Sequence, residues 1–173
     1  YDLLNGNLKR YTAGNRDDNL NNNDVFCLKV DFRGNTWVGT NGGGVNIIQN
    51  GSGIVKKYKR EGPSNDGIEL PANFIRALSE DQQHNMWIGT YGSGLVMYDP
   101  FKQHTTLYDK AKNKLPSNYI LAVHTDRNGN LWVGTNGNGV GLLRKGKTLF
   151  ETLSEKDGLV NGAIQSIIAV SYT

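Results

Sequence analysis

Residues 129–140 decide the fold, and they read Gly-Asn-Leu-Trp-Val-Gly-Thr-Asn-Gly-Asn-Gly-Val. The same pattern occurs without gaps at residues 34–45 and 84–95, and six of the twelve positions are identical in all three copies: Asn, Trp, Gly, Thr, Gly and Gly. All three tryptophans of the chain occupy one position of the pattern, at spacings of 50 and 45 residues. The chain is therefore a tandem repeat, and its fold follows from the repeat unit.

The repeat extends upstream of each tryptophan. An aspartate lies six residues before the tryptophan, and it is preceded by a segment that begins and ends with an apolar residue and has a small residue third, at residues 25–28, 75–78 and 120–123. Residues 164–167 have the same character, which indicates the start of a fourth copy.

Each repeat is predicted to form four short strands, A to D. Gly and Asn between strands A and B, and a Gly-x-Gly between strands B and C, are typical of hairpin turns. No window shows a sustained helical period, so we expect essentially no helix. The predicted strands are 24–31, 35–39, 44–49 and 53–60, then 73–80, 85–89, 94–98 and 104–108, then 119–125, 130–134, 139–143 and 148–152.

Four strands in 45–50 residues is the period of a β-propeller blade. A single blade cannot bury both of its faces, whereas blades stacked around an axis can, with the tryptophan packed against the next blade. We predict an all-β fold, a β-propeller fragment with three complete four-stranded blades and partial blades at both ends. The predicted units are the end of a preceding blade (outer strand and loop, 1–22), three blades (23–60, 61–108 and 109–153) and the inner strand of a fourth blade (154–173).

The pattern Gly-Asn-x-Trp-Val/Ile-Gly-Thr-x-Gly-x-Gly-Val/Leu resembles the two-component-regulator propeller repeat of hybrid two-component systems in Bacteroides and its relatives. The resemblance implies a periplasmic sensor segment of an inner-membrane-anchored protein with a histidine kinase, responding to oligosaccharides. It implies framework roles, without ligand contacts, for Trp37, Trp87, Trp132, Gly39, Gly89, Gly134, Thr40, Thr90 and Thr135. Two departures from the repeat are His84 in place of a glycine and an insertion at residues 61–72.

Charge and composition exclude several kinds of partner. The net charge is only +3, and the one dense basic cluster, residues 56–60, lies on a predicted outer strand where lysines prevent edge association. A nucleic-acid surface needs basic residues interleaved with aromatics, so we expect no nucleic-acid partner. No run approaches about 18 apolar residues, so we expect no membrane contact in this segment. The single cysteine, Cys27, is predicted to be a core residue.

The candidate ligand-binding residues cluster where propellers usually bind, at the end formed by the B–C and D–A loops. Two sets have equivalent positions in the three repeats: the residues directly after Gly-Thr, and the asparagines two residues before the first apolar position of strand A. Arg76 is the lone charge in an apolar inner-strand segment. Amides and an aromatic ring suit sugar hydroxyls and sugar faces, although recurrent asparagines also cap turns. The candidates are Asn41, Tyr91, Asn136, Asn23, Asn73, Asn118 and Arg76.

Three other patterns are interpreted as structural. His84, His104 and His124 fall on different parts of the blades, and the oxygen-rich residues 17–24 lack the order of a calcium loop. The glycine runs lie between strands and do not precede a helix, so we interpret them as hairpin turns and not as a phosphate-binding loop. We therefore expect no catalytic residue, metal or cofactor, and a non-enzymatic function. A protein-interaction scaffold, or a propeller lyase or hydrolase using His84 and His124, remain alternatives.

The chain is too short for a closed ring, which needs about four to eight blades. We expect its partners to be neighbouring blades and an oligosaccharide or other small ligand, and we expect the isolated chain to self-associate through its open blade faces.

Overall fold

Twelve short strands make up the fold in the computed structural model, which describes residues 9–62 and 66–168. They form three four-stranded antiparallel sheets, each with its strands in chain order. Blade one comprises β1 (Val25–Val30), β2 (Thr36–Thr40), β3 (Val45–Ile48) and β4 (Val55–Tyr58). Blade two comprises β5 (Ile75–Glu80), β6 (Met86–Thr90), β7 (Leu95–Asp99) and β8 (His104–Tyr108), and blade three comprises β9 (Ile120–Thr125), β10 (Leu131–Thr135), β11 (Val140–Leu143) and β12 (Glu151–Leu153).

The predicted all-β blade architecture is confirmed, and each strand lies within a few residues of its predicted bounds. The helical residues among those described are α1 (Lys110–Asn113) in the loop after β8 and a 3₁₀ turn at Glu155–Asp157. No helix in these ranges is long and apolar enough to cross a membrane.

The turn between strands A and B has the predicted left-handed residue in every blade. Gly34 and Gly129 each have φ of 80°, and His84 has φ of 65°. A side chain is strained in this conformation, so blade two retains a histidine at the expense of some stability. The imidazole gains contacts in return: it stacks on Phe32 of blade one with ring centroids 4.1 Å apart, and its Nδ1 lies 3.2 Å from Glu80.

The aspartate six residues before each tryptophan organises this turn. In blade two, Asp81 accepts hydrogen bonds from the Trp87 indole N–H, the Asn85 side chain and the backbone N–H groups of Gln83 and Asn85, all at 2.9–3.0 Å. Blades one and three repeat the same four bonds with Asp31 and Asp126. The repeated Asp, Asn and Trp therefore form a structural network.

The glycine after each tryptophan forms the junction between blades. A Cβ on Gly39 would lie 2.8 Å from Cγ2 of Ile75 in blade two, and a Cβ on Gly89 would lie 2.7 Å from Cγ2 of Ile120 in blade three. Only glycine allows the next inner strand to approach this closely. The tryptophan beside it, Trp37 or Trp87, is 4–5% exposed and is part of a core that the two blades share.

The fourth repeat begins at the same kind of junction. A Cβ on Gly134 would lie 3.0 Å from Cγ2 of Ile164, and the Ile164 N–H donates to the Thr135 carbonyl at 2.9 Å. The described part of the predicted inner strand, residues 154–168, contains no strand, because none of the described strands forms a ladder with it.

The segment before blade one packs against that blade. Leu20 is 5% exposed and lies with Val38 and Val55 in a small apolar cluster. The predicted outer strand within residues 1–22 is not found in the described part, residues 9–22, where the only strand-like pairing is one isolated bridge between Ala13 and Leu20. Residues 1–8 of that unit, and residues 169–173 of the last one, lie outside the described residues.

Candidate functional site

Because consecutive strands of a blade are antiparallel, the connections between them alternate between the two ends of the blade. The A–B and C–D turns lie at one end, which we call the turn end, and the B–C and D–A loops lie at the other. At the loop end, next to the inner strands, a set of side chains forms what we call the axial rim: Asp24, Phe26, Asn41, Phe74, Arg76, Tyr91, Tyr119 and Asn136.

The backbone of the axial rim is fixed by the repeat itself. Each rim residue after Gly-Thr follows a threonine that is 0% exposed and that donates its hydroxyl to the carbonyl of the last glycine of Gly-x-Gly at 2.7–2.9 Å. Isolated bridges then join each blade to the next, pairing Asn41 with Phe74 and Tyr91 with Tyr119. Side chains at the rim are therefore held on backbone that hydrogen bonds across the blade junction.

Exposed aromatic rings dominate the axial rim. Phe74 is 49% exposed and Tyr119 is 48% exposed, and they directly precede β5 and β9, the inner strands of blades two and three. Tyr119 meets Tyr91 edge to face, with ring centroids 5.0 Å apart. A Cβ on Gly42 would lie 3.7 Å from Cε1 of Phe74 and one on Gly92 would lie 3.4 Å from Cε1 of Tyr119, so the rings lie over the B–C turns of the preceding blades. Exposed aromatic surface on a rigid support is typical of a binding site.

Arg76 lies among these rings. It is the residue at which the β5–β6 register shifts between Ile75 and Ala77, a β-bulge that re-aims its side chain. Its guanidinium carbon lies 3.7 Å from the centroid of the Phe26 ring and 5.2 Å from that of the Tyr91 ring. The inner strands of blades one and three shift register at the equivalent residues, Phe26 and Leu121.

The predicted residues after Gly-Thr make polar contacts with their rim neighbours. The Asn41 side chain donates to Asp24 at 2.7 Å, and the Asn136 side chain donates to the Tyr91 hydroxyl at 3.0 Å. Asn136 is exposed, and Asn41 and Tyr91 are partly exposed. The structure thus brings Tyr91, Asn136 and Arg76 together, with Asn41 on the adjoining junction.

The three asparagines before strand A have structural contacts that favour turn capping. Their side-chain oxygens accept hydrogen bonds from the backbone N–H groups of Ala13, Arg60 and Lys110, at 2.6–2.9 Å, and so close the loops that lead to strand A; they are Asn23, Asn73 and Asn118. The carbonyls of Asn73 and Asn118 also accept from both glycines of the preceding Gly-x-Gly. A ligand role for these asparagines stays a prediction.

Sequence reasoning missed Phe26, Phe74 and Tyr119. Phe26 lies within an apolar strand segment, and the register shift between Val25 and Cys27 removes it from the alternation that sequence reasoning assumes. Phe74 and Tyr119 share one position of the repeat, directly before the first buried residue of strand A. An aromatic residue recurring at a strand entry was the signal that could have identified them.

A cleft of about 200 Å³ at the turn end, between blades one and two, is lined by Trp37, Tyr58 and Tyr98. A similar cleft of about 180 Å³ lies between blades two and three, so the feature comes from blade packing. The insertion fills part of the first one: Ile68 is 3% exposed, and Asp66 accepts hydrogen bonds from the Tyr58 hydroxyl and from Lys56. These two bonds, with that of Tyr58 the stronger, hold the pKa of Asp66 below its usual value.

The remaining candidates do not form a site among the described residues. His84 packs towards Phe32 of blade one, whereas His124 pairs with Trp132 in blade three, and His104 is exposed on an outer strand. No group of three metal-binding side chains occurs in the ranges described. Burial raises the pKa of the Cys27 thiol to about 12, so this thiol is not nucleophilic at neutral pH.

Comparison with known proteins is consistent with this geometry. The family model "Two component regulator propeller" matches residues 19–42, 69–92 and 114–137. The extracellular domain of BT3049 from B. thetaiotaomicron, assigned to a hybrid two component system, superposes with a TM-score of 0.66 at 25% identity, over 79% of this chain and 18% of that one. The extracellular domain of BT4673 from the same organism, assigned to a one component system, gives a TM-score of 0.71 at 23% identity, over 84% and 21%.

A more distant likeness is to an enzyme. Virginiamycin B lyase from Staphylococcus aureus gives a TM-score of 0.59 at 17% identity, over 80% of this chain and 45% of the lyase, which indicates a shared propeller fold alone. No curated protein matches the sequence. The chain spans about a fifth of the length of the two Bacteroides domains.

Proposed function

Since the chain is built from repeats of the two-component-regulator propeller family, we propose that it is a ligand-sensing segment of a periplasmic sensor domain of a hybrid two-component system, and that its axial rim binds an oligosaccharide. The observation that carries this proposal is the pair of half-exposed rings, Phe74 and Tyr119, held on bridged backbone beside amides and a guanidinium.

The chemistry of the axial rim suits a sugar. The face of a pyranose carries aliphatic C–H groups that stack on an aromatic ring, and its hydroxyls both donate and accept hydrogen bonds. Tyr119 and Phe74 supply the rings, and the amide of Asn136 supplies both a donor and an acceptor. A site of few polar groups among aromatics is typical of small-ligand recognition.

Signalling would follow from a difference in ligand affinity between two arrangements of the sensor domain. Because bridges at Asn41–Phe74 and Tyr91–Tyr119 cross the blade junctions, a ligand that spans two blades at the rim would favour one relative orientation of those blades. A change of this kind passes to a membrane-anchored kinase as a rigid-body movement. The similarity to extracellular domains supports the periplasmic location.

The test is oligosaccharide binding by the full-length sensor domain, first on a glycan array and then by titration calorimetry with the glycans that bind. Phe74→Ala and Tyr119→Ala should each weaken binding about tenfold or more, because each removes a stacking face. Phe101→Ala is the matched control, since Phe101 is 64% exposed but lies in the C–D turn at the opposite end of blade two. Unchanged binding in both rim variants would contradict the proposal.

The open face of blade one supports a second proposal, that the isolated 173-residue chain self-associates. Leu28 and Val30 of the inner strand of blade one are 64% and 58% exposed, whereas the equivalent faces of blades two and three are covered by a neighbouring blade. A second copy covering these residues would bury an apolar sheet face. Light scattering should show a dimer or larger species, and a monodisperse monomer would contradict this.

A further inference from the structure

Arg76 is in an unusual environment for a charged residue. It lies on the inner strand of blade two, in the aromatic part of the axial rim, and its Nε is sealed from solvent with no hydrogen-bond partner. Among the residues described, it makes no salt bridge, and no side chain or carbonyl accepts a hydrogen bond from its guanidinium. A guanidinium has five N–H donors, and buried donors are nearly always paired in folded proteins.

The recorded contacts of the Arg76 guanidinium are with two aromatic rings. The ring of Phe26, 3.7 Å from the guanidinium carbon, binds the cation through a face, and Tyr91 flanks it at 5.2 Å. Cation–π contacts of this kind use the face of the π-system and hold the side chain without using its N–H groups. The terminal Nη donors of Arg76, which unlike Nε are not sealed from solvent, are therefore held in place for an acceptor from outside the chain.

The acidic side chains near Arg76 already have other partners. Asp24, at the rim, accepts from the Asn41 side chain at 2.7 Å, and Glu80, at the far end of β5, accepts from the Phe32 backbone N–H and lies 3.2 Å from His84. The equivalent positions of the other repeats have uncharged side chains, Phe26, Leu121 and Gln165. The axial rim thus has one positive charge at the bulge positions, in blade two, and the one carboxylate of the rim, Asp24, is bonded to Asn41 and forms no salt bridge with Arg76.

We infer that the ligand of the axial rim carries a carboxylate, as a uronic-acid oligosaccharide does, and that Arg76 binds this group. This inference rests on the proposed function and specifies its ligand. A planar carboxylate matches the fork of a guanidinium and accepts two parallel hydrogen bonds from it, and these bonds are stronger than those between neutral groups. The sugar ring that carries the carboxylate then stacks on Tyr91 or Tyr119.

The experiment uses the full-length sensor domain and three probes that share a carbohydrate character but differ in charge. They are oligogalacturonate, the same material after methyl esterification, and a sulfated galactan oligosaccharide without carboxylates; a glycan array of neutral and acidic sugars extends the comparison. Arg76→Met keeps the stem of the side chain against Phe26 and removes the charge, and thermal unfolding verifies that the variant is folded.

We expect the glycans that bind to be uronates. Arg76→Met should weaken uronate binding about tenfold or more, and Arg76→Lys should recover only part of the loss because an ammonium lacks the fork. Binding of neutral or solely sulfated glycans, or uronate binding unaffected by Arg76→Met, would overturn the inference while leaving the proposed function in place. Absence of binding to every glycan would overturn both.

Discussion

At the turn end, all three blades use one set of side chains: an aspartate that accepts four hydrogen bonds, an asparagine and a tryptophan. At the axial rim, the same three blades carry different side chains on equivalent backbone. The residue after Gly-Thr is Asn41, Tyr91 or Asn136, and the bulge residue is Phe26, Arg76 or Leu121. Side chains repeat at the turn end, where blades must stack, and they vary at the axial rim, where the backbone is already fixed. The repeated residues build the propeller, and the variable ones are free to recognise a ligand.

The largest loss of stability is expected at the turn end, from truncation of a tryptophan at a blade junction. Trp87→Ala should lower the free energy of unfolding of this chain by about 3–5 kcal/mol, because it removes a side chain that is 5% exposed between blades two and three and leaves a cavity. Urea unfolding measures the change. Phe101 lies at the same end but is 64% exposed, so Phe101→Ala should lower the free energy of unfolding by less than about 1 kcal/mol. Equal losses of stability in the two variants would contradict the distinction between junction and surface aromatics.

The glycine two residues after that tryptophan should give the second largest effect. Gly89→Ala should destabilise the chain by about 1–3 kcal/mol, since its Cβ would lie 2.7 Å from Cγ2 of Ile120 in the next blade. A double-mutant cycle with Ile120→Ala identifies the cause. The cost of Gly89→Ala should shrink when the isoleucine is truncated, and an unchanged cost would place the strain elsewhere.

The structural roles of Trp87 and Gly89 could be predicted from sequence, because stacking of the blades requires the same residues in every repeat. A blade cannot bury its faces alone, so the residues at the junction must recur with the period of the blade, as Trp37, Trp87 and Trp132 do. Phe26 and Phe74 could not be predicted in the same way. The backbone partner of Phe74 comes from the neighbouring blade, and Phe26 lies at a bulge that interrupts the strand alternation on which sequence reasoning depends. Arg76 lies at the equivalent bulge, and only its charge in an apolar segment identified it from sequence.

The turn end should also respond to acid. Burial opposes ionisation of Asp126, but hydrogen bonds from Trp132, Asn130 and Asn128 outweigh it and lower the pKa of this carboxyl from 3.8 to about 2. A depressed folded-state pKa contributes stability that is present above pH 4 and is lost as the pH falls towards 2. Allowing for solvent screening, we expect about 1 kcal/mol from this group.

Urea unfolding of the wild type and of Asp126→Asn, repeated between neutral pH and pH 2, measures this contribution. The variant should be less stable at neutral pH, and the difference between the two proteins should narrow as the pH falls through the interval from 3.8 to about 2. A difference that stays constant with pH would mean that the carboxylate charge does not stabilise the turn.

The smallest effect on stability is expected at the rim. Tyr91→Asn gives blade two the residue that blades one and three already carry, and it removes one edge-to-face contact with Tyr119, so it should cost no more than about 1 kcal/mol. Its effect on ligand affinity should be about tenfold or more, measured by calorimetry with the glycan that binds. A large loss of stability with unchanged affinity would make Tyr91 a framework residue.

The glycine–isoleucine contact has a consequence for how such chains grow. Gly39 meets Ile75, Gly89 meets Ile120 and Gly134 meets Ile164, so every boundary in the described chain is formed by the same two residue types. A duplicated or deleted repeat would therefore create no new boundary, and the gene could lengthen or shorten by whole units without any compensating substitution. Ring size in a protein of this kind is then set by the angle at which like boundaries stack, and each added unit brings two more variable side chains to the axial rim, one at the bulge and one after Gly-Thr.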